Sequence, residues 1–326
     1  MKKVFLLFLG LSILLSACGA GAFAKPLPTA TAAADSSPTA TAAIPPTSTV
    51  TPTFTASPSP TPTWVYQGPE SVLVPIILYH RIAVSPTDGV NYKSPYYVKP
   101  ELFEEEMKLL YNWGYQTIAV ETLVKAIKEG AELPPRPIVI TFDDGHLDNY
   151  TTAFPIMQKY GFTGALYIVG NYMGAENYMN AEQIKEMAAA GWEIGSHSMS
   201  HASLISLEPA MQRYEIVESR NFLEERLGVP VRTIAYPFGY SNSSAIDYAI
   251  FAGYIGGMGL GFTHDQGTGN LYNLQRRDIK GTYDIKQFAG FLPWLGDPAF
   301  LPTDTPAPTA TPSRTPVPIN TQASPP

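Results

Sequence analysis

A single cysteine, Cys18, in 326 residues rules out an internal disulfide, so a folded domain here must hold through its core alone. Positive charge is also short. The 21 Lys and Arg face 28 Asp and Glu, a formal net charge of −7, and an acidic chain of this kind excludes nucleic acid as a partner. The apolar run over residues 4–15 falls short of the roughly 18 residues that a spanning helix needs. What is present sorts into three kinds of segment: a basic and apolar start, two tracts rich in Pro, Thr, Ser and Ala, and a long mixed region between them.

Met1-Lys2-Lys3, the apolar run and the small residues Ser16-Ala17-Cys18-Gly19 predict a secretory leader over residues 1–17. Leu15-Ser16-Ala17-Cys18 resembles the bacterial lipobox, after which cleavage leaves Cys18 as a lipidated N-terminus. That places the chain at the outer face of a bacterial cell membrane. Residues 18–63 and 301–326 bury too little apolar surface to offset their ordering entropy and are predicted to stay extended. At about 3.1 Å per residue the first tract reaches on the order of 140 Å, a tether that lifts the domain off the membrane. Residues 64–300 suffice for one large domain with a sizeable core.

Within that domain apolar runs alternate with amphipathic stretches. Strands are predicted at 74–79, 116–120, 138–143, 164–169, 193–196, 233–236 and 254–260. Helices are predicted at 100–113, 121–129, 149–160, 181–190, 208–227 and 243–252. The alternation predicts an α/β fold with a parallel sheet, closed or nearly closed as a barrel, whose active residues gather at the carboxyl ends of the strands.

Two such ends carry chemistry. Pro137-Ile138-Val139-Ile140 leads into Thr141-Phe142-Asp143-Asp144-Gly145, and Glu193-Ile194-Gly195-Ser196 leads into His197-Ser198-Met199-Ser200-His201. One carboxylate and two imidazoles suit zinc or a similar divalent ion and leave positions open for water. Two adjacent aspartates facing one small site would repel and raise one pKa. A cation on one keeps it ionised as a ligand and frees the other as a base. The i, i+4 spacing of the histidines fits one helical turn with both rings on one side. The set points to hydrolysis. Taken singly, each motif also reads as a solvated Asp-Asp turn or as two loop histidines bonded to backbone.

The two motifs together resemble those of the polysaccharide deacetylase family, also called the NodB-homology family of carbohydrate esterases, over residues 74–292. T-F-D-D-G and H-[ST]-x-x-H match residue for residue. Ala235-Tyr236-Pro237-Phe238-Gly239 keeps the Pro-Phe-Gly of a third motif but has Ala235 where the family often has arginine. The resemblance implies a deformed (β/α) barrel of about seven strands. It implies Asp144, His197 and His201 as ligands to a divalent metal, zinc foremost, with Asp143 as base and the Phe238 N–H as oxyanion donor. Residues 273–279 resemble a strand in the branch lacking the first arginine, which makes Arg276 the candidate partner of the aspartate, with Arg277 in reserve.

Many relatives supply the general acid from a late Leu-x-Leu-His motif, which this sequence lacks. Leu78-Tyr79-His80-Arg81-Ile82 resembles the poly-β-1,6-N-acetylglucosamine deacetylase branch and nominates His80, with His264 as competitor. His146 is read as a rim histidine contacting substrate or water, and Trp192, Tyr236 and Tyr240 as candidates to stack on sugar rings. The implied activity is N-deacetylation of an acetylated glycan, poly-N-acetylglucosamine or peptidoglycan, by a lipid-anchored monomer. An O-acetyl esterase acting on xylan and a non-catalytic glycan-binding protein are the alternatives.

Overall fold

Seven strands follow one another across one parallel sheet, with Gln116–Thr117 as an eighth beside Pro137–Ile138, and their burial shows why they pair. They are β1 (Ile76–Tyr79), β2 (Pro137–Asp144), β3 (Ala165–Ile168), β4 (Glu193–Ser196), β5 (Thr233–Ala235), β6 (Gly256–Met258) and β7 (Arg277–Asp278), in the order β6-β5-β4-β3-β2-β1-β7. The structure, a computed structural model, describes residues 63–86 and 94–297. The expected leader, the lipidated Cys18, the tether up to residue 62 and the tail lie outside the described residues. Among the described residues no helix is long and apolar enough to cross a membrane.

Strand β2 is buried from Pro137 to Asp143, the near-continuous apolar run of a parallel strand covered on both faces. Alternation then assigns the faces. Ile138, Ile140 and Phe142 pack outward with Phe103, Met107, Phe154 and Met157 of the surrounding helices. Val139 points inward with Ile76, Ala165, Tyr167, Ala235 and Met258, where Leu123, Val124 and Ile127 of the helix Val120–Glu129 fill the curl. Thr141 and Asp143 continue that inner face toward the carboxyl end.

Closure comes from residues 274–279. Leu274 exchanges backbone hydrogen bonds with Gly257 and Gly259 (2.8 and 2.9 Å), and the Gly261 N–H donates to Arg276 O (3.0 Å). On the other side β7 pairs with β1, and the Ile279 N–H donates to Leu78 O (2.9 Å). One short segment therefore draws the two edges of the sheet together, and the result is the deformed barrel expected. Its interior is tight: a Cβ on Gly195 would sit 2.4 Å from the Tyr167 ring, so Tyr167 fills the curl only because β4 carries glycine there.

Some elements differ from expectation. The strand predicted at 116–120 is only Gln116–Thr117, because the next helix starts at Val120. The helix predicted at 149–160 opens with a π-turn, Asn149–Ala153. The helix predicted at 208–227 is interrupted by a second π-turn, Tyr214–Glu218, between Pro209–Arg213 and Ser219–Leu227. Periodicity did not announce three two-stranded pairings: Val65–Gln67 with Ala131–Leu133, Ser71–Leu73 with Asp265–Gly267, and Arg81–Ile82 with Tyr97–Val98. Each is too short for alternation to register.

Candidate active site

At the end of β2 the backbone turns left-handed twice, at Asp144 (φ 72°) and Gly145 (φ 81°). In a straight strand successive side chains point to opposite faces. The turn at Asp144 brings both carboxylates to one pocket, at a cost of about 1–2 kcal/mol for a residue with a Cβ. Asp143 is 2% exposed and held at both oxygens by Arg276, Nη1 to Oδ1 at 2.7 Å and Nη2 to Oδ2 at 2.8 Å. Arg276, 1% exposed, also donates to Gly259 O (3.1 Å) and to Thr141 Oγ1 (3.3 Å) and lies over the Tyr167 ring. Burial pushes the Asp143 carboxyl up, but the guanidinium and the imidazole of His197 outweigh it and hold the group below the usual carboxylate range. The arginine missing at position 235 is thus replaced from β7. Arg277 turns away, its guanidinium between the rings of Phe262 and Phe291.

The histidine motif corrects one expectation. Residues 197–201 form a loop, not a helical turn, with Ser198 and His201 at φ 64° and 61°. The loop still brings the two rings to 4.8 Å between centroids. His197 Nδ1–H donates to Ala235 O (2.8 Å), which leaves Nε2 with its lone pair toward the pocket. Burial and the neighbouring His197 push the His201 imidazole down despite the aspartates.

Asp144 completes the cluster. Its Oδ1 is buried without a hydrogen-bond partner and lies 3.6 Å from His197 Nε2 and 3.4 Å from His201 Nε2. One ligand atom from each of Asp144, His197 and His201 fits within 4.8 Å of the others. An unpaired carboxylate oxygen facing two imidazole nitrogens fits a divalent cation, and Asp143, bound to Arg276, stands outside that set. The other oxygen of Asp144 meets His146 Nε2 at 3.2 Å, and the His146 ring stacks on Tyr178. His146 is therefore a partner of the candidate ligand, a role its place in the sequence did not suggest. Burial pushes Asp144 up, but His146 and the imidazoles reverse this and keep it ionised.

These groups line a cavity of about 530 Å³ at the carboxyl ends of the strands. His80 and Asp278 line it as well, His80 Nδ1 standing 3.8 Å from Asp278 Oδ1 with neither atom hydrogen-bonded. Burial pushes the His80 imidazole down, and Asp143, Asp144 and Asp278 oppose that shift. Phe238 sits left-handed (φ 61°) in the turn Pro237–Gly239, its ring edge-on to His201. His264 is not among the lining residues. Its carbonyl accepts from Val74 N–H (2.8 Å), before β1 begins, away from the carboxyl ends.

Of the three aromatics nominated for sugar stacking, Trp192 and Tyr236 belong to the core, and only Tyr240, 59% exposed, lines the cavity. Tyr96 and Tyr97 line it as well and went unforeseen, since they arrive on the short pairing with Arg81–Ile82. Tyr96 packs on His80 at 4.7 Å, and Lys280, paired with Asp278, lies over the Tyr96 ring.

Comparison with known proteins agrees with this geometry. The sequence model of the polysaccharide deacetylase family matches residues 130–256. YxkH of Bacillus subtilis (strain 168), grouped by name with the polysaccharide deacetylases, is 30% identical over 222 residues, 67% of this chain and 76% of that protein. The poly-beta-1,6-N-acetyl-D-glucosamine N-deacetylase of Staphylococcus aureus is 26% identical over 213 residues, 60% of this chain and 73% of its own. A deacetylase of Streptococcus pyogenes, PplD, solved with acetate, shares the fold with a TM-score of 0.63 at 24% identity, covering 71% of this chain and 99% of its own. A Bacillus cereus polysaccharide deacetylase gives 0.59 at 26%, covering 68% and 69%. Barrel, paired aspartates, histidine loop and relatives agree, and the chain belongs to the polysaccharide deacetylase family.

Proposed function

We propose that this chain is a metal-dependent N-deacetylase of an N-acetylglucosamine polymer, working outside the cell from a lipid anchor on Cys18. The observation that carries the metal-dependent part is the buried, unpartnered Asp144 Oδ1 facing His197 Nε2 and His201 Nε2. Asp144, His197 and His201 would hold the cation, and their donor set favours zinc. When bound, it supplies Lewis acidity toward the acetyl carbonyl and makes water more acidic. Asp143 takes the proton from the attacking water, and Arg276 holds that carboxylate ionised and aimed. The Phe238 N–H donates to the developing oxyanion. His80, which lines the same cavity, gives a proton to the departing nitrogen, so acetate and a free amino sugar leave. The N-acetyl polymer is supported by the Staphylococcus aureus relative and the motif around His80, and the anchor by Leu15-Ser16-Ala17-Cys18.

Acetate and free amine released from poly-β-1,6-N-acetylglucosamine, peptidoglycan and acetylated xylan test this reading. Equal acetate and amine from a glucosamine polymer, lost with a chelator and restored by zinc, is the expected result. Acetate from xylan alone would make the protein an O-acetyl esterase. Glycan binding with no acetate from any polymer would make it a binding protein. For the anchor, Cys18→Ser should release the chain from the membrane fraction, and unchanged association would refute lipid on that residue.

A further inference from the structure

The loop carrying both imidazoles has almost no regular structure of its own, yet four consecutive N–H groups in it are satisfied by side chains. The Ser198 N–H donates to Ser196 Oγ (3.2 Å) and the His201 N–H to Ser198 Oγ (3.0 Å). Between them, the Met199 and Ser200 N–H groups both donate to Glu215 Oε2, at 2.9 and 2.8 Å, and Ser200 Oγ–H donates to Glu215 Oε1 at 2.5 Å. Glu215 is 4% exposed, lies outside the cavity lining and touches none of the reacting groups.

From this we infer that Glu215 is a positioning residue for the metal ligands, clamping residues 198–201 in the one backbone shape that aims His197 and His201 at a common point. That shape needs two left-handed non-glycine residues, each disfavoured by about 1–2 kcal/mol without compensation. Charge-assisted hydrogen bonds from a buried carboxylate are the strong kind that can hold it. Glu215 lies in the π-turn Tyr214–Glu218, on the buried side of its helix with Gln212, Ser219 and Leu223, and that side faces the loop. Ser219, one position past that turn, ties the same helix to β4 through Ser196 Oγ (2.7 Å). Without the clamp the free loop would leave this shape, and binding a cation would have to restore it. The inference rests on the cation site proposed above.

Zinc affinity of the full chain, measured by competition with a fluorescent chelator, is the test. Loss of an outer partner of a metal ligand costs about 10–100-fold in affinity, and Glu215→Ala should fall in that range. Glu215→Gln keeps the shape and one carbonyl acceptor, so it should stay folded and lose less. At saturating zinc Glu215→Gln should recover most of its kcat, since the residue acts through the ligands. Tyr115→Phe is the control. It removes a hydrogen bond elsewhere in the barrel, Tyr115 O–H to Trp294 O at 2.8 Å, between residues that bond neither to the loop nor to Glu215, and should bind zinc like wild type. Wild-type affinity in both Glu215 variants, or an equal loss in Tyr115→Phe, would overturn the inference. Wild-type protein that binds no zinc would refute the cation site itself, and the inference with it.

Discussion

Two sets of residues that line the cavity are built to different standards. In one, every candidate ligand is tied down from behind: His197 by Ala235 O, Asp144 by His146, and the backbone of the histidine loop by Glu215. In the other, His80 and Asp278 stand 3.8 Å apart with facing atoms unbonded, and the His80 ring packs on Tyr96. Arg276 joins the sets, two positions before Asp278 in the chain and bonded to Asp143. The contrast matches the tasks. A cation site must be preorganised, since three donors have to converge within a few tenths of an ångström. A general acid needs only to come within hydrogen-bond reach of a leaving group, and such contacts are often long before substrate arrives.

The largest expected effect comes from the residue that joins them. Arg276→Leu leaves Asp143 as a buried charge without its partner, so denaturant unfolding should show a loss of about 3–5 kcal/mol, with activity gone. Arg276→Lys keeps a charge but cannot make the two-point contact, and should fall between. A stability change under about 1 kcal/mol in Arg276→Leu would mean that the pair is not the buried lock described here.

Next is the loosely held set itself. His80→Ala should lower kcat by about 10²–10⁴ with zinc content unchanged, the usual worth of a general acid. His264→Ala should behave like wild type, because His264 is not among the groups lining the cavity. The reverse pattern would move the acid role away from β1.

The last effect is one of pH and lies behind His80. Glu106 is buried and accepts a hydrogen bond from Tyr79 O–H (2.7 Å), next to His80, and burial raises its pKa from the ordinary 4.5 to about 8. The folded state therefore holds a proton that the unfolded chain gives up. That contribution is complete below about pH 4.5, is lost as pH rises through about 8, and is flat beyond. Glu106→Gln should remove this slope from thermal unfolding measured between those limits and be the more stable protein at the alkaline end. Parallel pH curves for the two proteins would show that Glu106 titrates normally.

Much of the tightly held set was legible in sequence, because its residues stand at the ends of strands that periodicity reveals: Asp143 and Asp144 at the end of 138–143, His197 after 193–196. Even there the local shape was misread. The i, i+4 spacing suggested a helical turn, while the pocket uses two left-handed residues, which no hydrophobic pattern encodes. The partners behind the ligands were harder, since His146 and Glu215 act through tertiary contacts. Glu215 did leave a trace: it shares a helix stripe with the buried Gln212, Ser219 and Leu223, and an acid on a buried stripe implies a hidden partner. In the loosely held set only His80 and Arg276 were nominated, Arg276 from family likeness and His80 from that likeness together with its place after a strand. Tyr96, Tyr97 and Asp278 arrive on strands of two residues each or beside them, below the length at which alternation can be read.

The division of labour between the adjacent aspartates is the centre of this account, and zinc content measured alongside acetate release decides it. Asp143→Asn should bind zinc as wild type does and release no acetate, while Asp144→Asn should lose both. Zinc lost from Asp143→Asn and kept by Asp144→Asn, or acetate still released by Asp143→Asn, would contradict it.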